Sequence, residues 1–94
     1  MKEKLLKIIN KFGINNQQRK LVEEVFELNE AITKHEALGG QYKHIVEELA
    51  DVIVMLKQFQ YHYDIEQEEI EEICKQKIDR TINRIEEGYY ENNI

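Results

Sequence analysis

Apolar residues recur at intervals of three and four positions through four successive stretches of the chain. Such an interval places side chains on one side of an α-helix, which turns once every 3.6 residues or so. The predicted helices cover residues 2–12, 17–36, 42–61 and 65–87. Proline is absent, and glycines stand where a helix would end, at Gly13, Gly39, Gly40 and Gly88. The sequence therefore predicts an all-α fold of four helices.

Polar residues precede two of the predicted helices and can cap their first backbone N–H groups. Asn15 and Asn16 stand before the second helix, and Asp64 with Gln67 three positions later forms a capping box for the fourth. We expect one domain over residues 1–94, with its core at about 17–87 and a short tail at 88–94.

The overall composition excludes several classes of protein. A content of 41% hydrophobic and 34% charged residues fits a globular chain rather than a disordered one. The formal charge of −6 argues against binding a nucleic acid polymer, because such binding needs a basic surface. No stretch approaches the roughly 20 apolar residues of a membrane span, and the N-terminal segment lacks the apolar stretch of a signal peptide. We expect a cytoplasmic protein with no membrane partner.

The central helices are apolar over more than one narrow stripe. Beside its main stripe, the third helix carries further apolar residues: Val46, Ala50, Ile53, Val54 and Met55. A chain of 94 residues cannot cover that surface on all sides, so we expect a homodimer or homotetramer. On the fourth helix, Cys74 shares helical spacing with Ile70 and Ile78, which predicts buried packing rather than a nucleophile.

Two pairs of acidic residues border the apolar stripes of the central helices. Glu24 and Glu27 share a face of the second helix, and Glu48 and Asp51 repeat the spacing on the third. The glycine turn between these helices predicts antiparallel neighbours, which would bring the four carboxylates together. Close carboxylates repel one another, and a hard cation such as Mg²⁺ binds carboxylate oxygens and removes the repulsion. The spacing therefore predicts a magnesium site.

Acidic residues on a helix have explanations other than a metal site. A single Glu-x-x-Glu pair is common on solvated helix faces, and that explanation is preferred for the remaining acids: Glu23, Glu30, Glu36 and Glu47. A di-iron bundle needs Glu-x-x-His pairs, and no histidine of the chain follows a glutamate by three positions. His44 lies one turn before Glu48 and is expected to be uninvolved.

The compound motif, Glu23-Glu24-x-x-Glu27 followed after twenty residues by Glu48-x-x-Asp51, resembles the signature of the MazG-like all-α nucleoside triphosphate pyrophosphatases. The segments LVEEVFELNEAI and HIVEELADVIVML are similar to that family's two central helices, and the similarity covers about residues 17–84. The resemblance implies a four-helix unit that assembles into dimers or tetramers. It also implies Mg²⁺-dependent cleavage of an NTP or dNTP between the α- and β-phosphates, with Mn²⁺ as an alternative metal. The products would be the monophosphate and pyrophosphate.

The same resemblance assigns roles to single residues. Glu24, Glu27, Glu48 and Asp51 would hold the metal. Glu23 would join Glu24 as a catalytic residue that orients the attacking water.

The fourth helix carries three basic residues on one face: Lys77, Arg80 and Arg84. Such a face is most often a solvated, salt-bridged surface. A triphosphate, however, needs positive groups besides the metal, and the arginine fork fits its oxygens. The segment KIDRTINR is similar to the family's late helix, whose basic residues approach the phosphates. Thr81 departs from the asparagine common in relatives, which leaves contacts to the sugar and base open.

Several alternatives stay open from the sequence. Phosphoribosyl-ATP pyrophosphatase shares the architecture, and relatives specialised for dUTP or dCTP differ only in pocket details. A non-catalytic helical oligomer or interaction protein, with structural acidic pairs, is the alternative of a different class. A small phage or prophage member is suggested by size alone. Five aromatic residues are candidates to stack on the base: Phe12, Phe26, Phe59, Tyr61 and Tyr63. Of these, Phe26 and Phe59 are expected in the core, and the sequence does not decide among the others.

Overall fold

The structure is a computed structural model that describes residues 1–89 and, within them, consists of four α-helices and no strand. The helices are α1 (Lys2–Phe12), α2 (Ile14–Leu38), α3 (Tyr42–His62) and α4 (Gln67–Glu86). The prediction of an all-α chain with four helices is confirmed. Residues 1–64, with α1 to α3, form one compact unit, and a second unit begins at Ile65 and contains α4. A single domain over residues 1–94 stays a prediction. Of the tail predicted at residues 88–94, positions 90–94 lie outside the described residues.

A single glycine joins α1 to α2. The N–H of Gly13 donates to Ile9 O at 2.8 Å, and its carbonyl accepts from Gln17 N at 3.1 Å, so one residue closes one helix and opens the next. Its φ of 88° lies in the region that glycine adopts without strain. The second helix therefore begins earlier than predicted. The predicted asparagine cap was wrong: Asn16 lies inside α2 and donates to Phe12 O at 2.7 Å, at the end of α1.

A second glycine turn reverses the chain between α2 and α3. Gly39 ends α2 in the left-handed conformation, with φ 68°, and its N–H donates to His35 O at 3.2 Å. The pairing of residues across the two helices shows that they are antiparallel, because Gln17 bonds to Gln58 whereas Glu24 lies near Glu48. The predicted antiparallel arrangement is confirmed.

The core of the first unit lies where α1 packs on α2 and α3. One side of α1 is buried there, and Ile9 is only 1% exposed. Full burial of a side chain of this size stabilises the fold by about 1.5–3 kcal/mol. The buried apolar residues are Leu5, Ile9, Ala31, Val52 and Met55.

Much of the apolar surface predicted to be buried is exposed in the single chain. Phe26, expected in the core, is 61% exposed, and that prediction was wrong. Val25 on α2 and Leu49 on α3, which share helical spacing with other apolar residues, are exposed as well, whereas Phe59 is half-buried. Three helices around a small core leave the outer sides of α2 and α3 without cover from their own unit.

A capping box precedes the fourth helix, two positions later in the sequence than predicted. Glu66 stands before the first turn of α4, and its N–H donates to the Glu69 carboxylate at 3.3 Å. The predicted Asp64–Gln67 box was wrong, because α4 begins only at Gln67. Cys74 is exposed on α4, which corrects the expectation that it is buried.

Over the described residues 1–89, none of the helices combines the length and the apolar character that crossing a membrane requires.

Candidate metal centre

Three carboxylates from two helices lie together in the first unit. Glu24 and Glu27 come from successive turns of α2, and Glu48 comes from the antiparallel α3. One carboxylate oxygen from each residue lies within 4.8 Å of the oxygens offered by the other two. The structure thus brings together three of the four metal ligands that the sequence predicted, and we refer to them as the three-carboxylate cluster.

The cluster contains buried carboxylate oxygens without hydrogen-bond partners. Glu24 is only 7% exposed, which is unusual for a glutamate. Its Oε2 and the Oε2 of Glu48 are buried, and neither has a hydrogen-bond partner within residues 1–89. A buried charged oxygen loses its hydration and therefore destabilises the fold unless another group satisfies it. A bound cation would satisfy both oxygens.

One ammonium group already contacts the cluster. Lys20 Nζ lies 3.1 Å from Glu24 Oε1 and 3.8 Å from Glu23 Oε2. The hydrogen bond to Glu24 and the negative charge of that residue raise the pKa of Lys20 above its ordinary value. The sequence interpretation gave Lys20 no role in the site, although its position four residues before a buried glutamate on the same helix was a usable signal.

The carboxylates also act on one another. The charge of Glu24 is the main cause that raises the pKa of the Glu27 carboxyl, followed by loss of hydration and then by the charge of Glu48. Lys20 opposes this increase only in part. The folded, metal-free cluster therefore holds a proton more readily than an isolated glutamate does.

The charge and the donor chemistry of the cluster fit a divalent cation. Three carboxylates and one lysine ammonium carry formal charges of −3 and +1, which leaves −2. The donors are hard oxygen atoms, which favour Mg²⁺, Mn²⁺ or Ca²⁺ over the metals that prefer nitrogen and sulfur ligands. Glu24, Glu27 and Glu48 are the residues that would hold the ion.

The other predicted acids lie at the edge of the cluster. Asp51 is exposed on α3, one turn beyond Glu48, and is not part of the three-residue group. Its assignment as a metal ligand stays a prediction. Glu23 is exposed and contacts Lys20 rather than the buried oxygens. His44, expected to be uninvolved, has its Nε2 3.8 Å from Glu48 Oε1.

The predicted phosphate-binding residues all belong to α4. Lys77 and Arg80 are exposed, and Arg84 is half-buried with its guanidinium 5.2 Å from the centre of the Tyr89 ring. The three side chains lie on one helix of the second unit, and their role in binding phosphate stays a prediction.

Replacing Lys20 by Met tests its role as the counter-charge of the cluster. The substitution keeps the aliphatic chain and removes the ammonium, so buried Glu24 loses both its ion pair and its hydrogen bond. We expect a lower melting temperature in metal-free buffer, measured by circular dichroism, and a smaller loss when Mg²⁺ is saturating. Lys34→Met is the matched control, because Lys34 pairs with Glu30 at 3.9 Å on an exposed face. Equal melting temperatures for Lys20→Met and wild type would contradict this role.

No protein-family model, no curated protein and no solved structure matches this chain.

Proposed function

We propose that this protein is a nucleoside triphosphate pyrophosphohydrolase that requires Mg²⁺ and cleaves an NTP or dNTP between the α- and β-phosphates. The observation that carries the proposal is the three-carboxylate cluster, with two buried oxygens that lack a hydrogen-bond partner within the described chain. Such a site favours a hard divalent cation, and carboxylate-held Mg²⁺ commonly serves reactions at phosphate groups. The resemblance of the compound motif to the MazG-like family supports the same activity.

The proposed reaction is the attack of a water molecule on the triphosphate of the nucleotide. A water oxygen forms a bond to phosphorus while the bond from phosphorus to the bridging oxygen breaks, giving the monophosphate and pyrophosphate. Glu24, Glu27, Glu48 and Asp51 would hold the metal. Glu23, together with Glu24, would orient the water and receive its proton. When bound, a Mg²⁺ ion would supply positive charge to the phosphate oxygens and would lower the pKa of a bound water.

The proposal also includes the basic residues of α4 and an oligomeric assembly. Lys77, Arg80 and Arg84 would bind the negative charge that develops on pyrophosphate as it leaves. A second copy of the chain would cover exposed apolar residues of α2 and α3, such as Val25, Phe26 and Leu49. We propose a homodimer or homotetramer, which light scattering during size-exclusion chromatography would measure directly. A cytoplasmic location belongs to the same proposal.

The activity itself is tested with a panel of ribo- and deoxyribonucleoside triphosphates. The protein is incubated with each nucleotide in Mg²⁺, in Mn²⁺ and in EDTA, and pyrophosphate is measured separately from orthophosphate. We expect monophosphate and pyrophosphate in equal amounts with Mg²⁺, and neither with EDTA. The panel includes dUTP, dCTP and phosphoribosyl-ATP, so that a specialised relative would be recognised. If none is cleaved and Mg²⁺ gives no thermal stabilisation, the acidic pairs are structural and the chain is a helical interaction protein.

A further inference from the structure

A cleft opens in the first unit between α1, α2 and α3. Its volume is about 570 Å³, within the range of roughly 300–1,000 Å³ that is typical of small-molecule sites. Phe12 and Met55 make part of its wall apolar, and its polar lining includes Gln17, Lys20 and Gln58. Every residue that lines the cleft belongs to α1, α2 or α3.

A buried pair of primary amides lies on the wall of this cleft. Gln17 Nε2 donates to Gln58 Oε1 at 2.8 Å, and the two residues are 6% and 2% exposed. Gln58 Nε2 in turn donates to Met55 Sδ at 3.6 Å, and a thioether is a weak acceptor. A primary amide has two N–H donors and a carbonyl with two lone pairs. The pair therefore keeps hydrogen-bonding capacity beyond the bond that joins its members.

Helical register places one amide and one carboxylate of the cluster on the same side of α2. Gln17 precedes Glu24 by seven residues. Seven residues are close to two full turns, so the two side chains lie on the same face, about 10 Å apart along the helix. Lys20, which contacts Glu24, lines the cleft as well. A single cationic side chain therefore borders both the cleft and the three-carboxylate cluster.

We propose that this cleft binds the nucleobase of the substrate and that the Gln17–Gln58 amide pair reads the polar edge of the base. This inference rests on the proposed function, because the cluster would hold the metal ion to which the phosphates bind. A nucleobase has apolar faces and an edge of adjacent donors and acceptors. Primary amides match such an edge, as in the bidentate contact of glutamine with adenine. Phe12 and Met55 would contact the faces of the base.

Selectivity among nucleotides gives the first test. Gln17→Leu and Gln58→Leu keep the approximate side-chain volume and remove the amide, and kcat/KM is measured for each nucleoside triphosphate. The preferred nucleotide is expected to lose at least about tenfold in kcat/KM relative to the least preferred one, because the base loses a buried hydrogen bond. Gln18→Leu is the matched control, since Gln18 is exposed on the same helix, and it should keep the wild-type ratio. Unchanged ratios in both cleft variants would overturn the inference while the proposed function stands.

A second test needs no substitution and no metal, so it remains decisive if a cleft variant fails to fold. The unmodified protein is titrated with nucleosides, which lack phosphate, and the side-chain amide signals are followed by ¹H–¹⁵N NMR. We expect the signals of Gln17 and Gln58 to shift in a saturable way, with Gln18 unaffected. If no nucleoside shifts them, the cleft does not bind a nucleobase. Saturable shifts without any nucleotide hydrolysis would support the cleft and overturn the proposed reaction alone.

Discussion

Glu48→Gln is expected to reduce Mg²⁺-dependent nucleotide hydrolysis by at least about 100-fold in kcat/KM. The substitution keeps the shape of the side chain but removes the charge that α3 contributes to the three-carboxylate cluster. Even residues that only support metal ligands cost about 10–100-fold when they are replaced, so loss of a ligand should cost more. The measurement is pyrophosphate release over a range of Mg²⁺ concentrations, with circular dichroism to confirm that the variant is folded.

The neighbouring residue provides the control for this prediction. Glu47 stands next to Glu48 on α3, but its side chain is exposed and faces His44 at 3.9 Å. Glu47→Gln should therefore retain activity close to wild type. Near-normal hydrolysis by Glu48→Gln would exclude the cluster from the reaction. Asp51→Asn is measured in the same assay. If Asp51 is the fourth metal ligand, its replacement should reduce kcat/KM about as much as Glu48→Gln does.

Glu27→Gln is expected to be more stable than wild type without metal and less stable than wild type in saturating Mg²⁺. In metal-free buffer at pH 7 the variant should melt at a higher temperature than wild type, because it removes the repulsion from Glu24 and Glu48 that raises the Glu27 pKa. In Mg²⁺ at 100 times the dissociation constant, wild type should gain about 2.7 kcal/mol, on the order of 10 °C in a domain of this size. A tenfold weaker site in the variant would gain only about 1.4 kcal/mol.

The destabilisation caused by repulsion at Glu27 should depend on pH, and the raised pKa of Glu27 gives its direction. A raised carboxyl pKa means that the folded state binds the proton more readily than the unfolded chain, so repulsion destabilises the fold at pH values above the folded pKa. As pH falls toward the ordinary value of 4.5, Glu27 becomes protonated and the advantage of Glu27→Gln should disappear. Thermal unfolding from pH 7 to pH 4 without metal measures this. Glu30→Gln, on an exposed part of α2, should show neither effect, and a Glu27→Gln variant less stable than wild type at pH 7 would contradict the repulsion.

The helices could be predicted from the sequence because the apolar spacing that forms a helix and the glycine that ends it both depend only on neighbouring residues. The first helix was predicted with its observed bounds, and Gly13 ends it as expected. The start of α2 could not be predicted, because a positive φ at Gly13 lets one residue serve both helices, whereas the adjacent asparagines resemble ordinary caps. The exposure of Phe26 could not be predicted either, since helical spacing identifies the apolar side of a helix but not whether the same chain covers it.

The proximity of Glu24, Glu27 and Glu48 could be predicted because i, i+3 spacing and an antiparallel turn fix their approximate positions. The same two rules also predicted that Asp51 would join them, and they do not explain why it is absent from the three-residue group. The amide pair could not be found in this way, since Gln17 and Gln58 are 41 positions apart and meet only after α2 and α3 have packed in register. Glutamine at a helical position is ordinary in sequence, and only its burial marks it as unusual.

The contacts between α2 and α3 limit which changes of chain length the molecule can accept. Gln17 meets Gln58 and Glu24 lies near Glu48, so the spacing of these residues on one helix has to match the spacing on the other. Each added residue rotates everything beyond it by about 100° around the helix axis. A single insertion between Gln17 and Glu24 would turn one of them away from α3, even though every side chain of the site would still be present. The lengths of segments 17–24 and 48–58 are therefore constrained, whereas the turn around Gly39 lies outside both and can vary in length without altering the register within either.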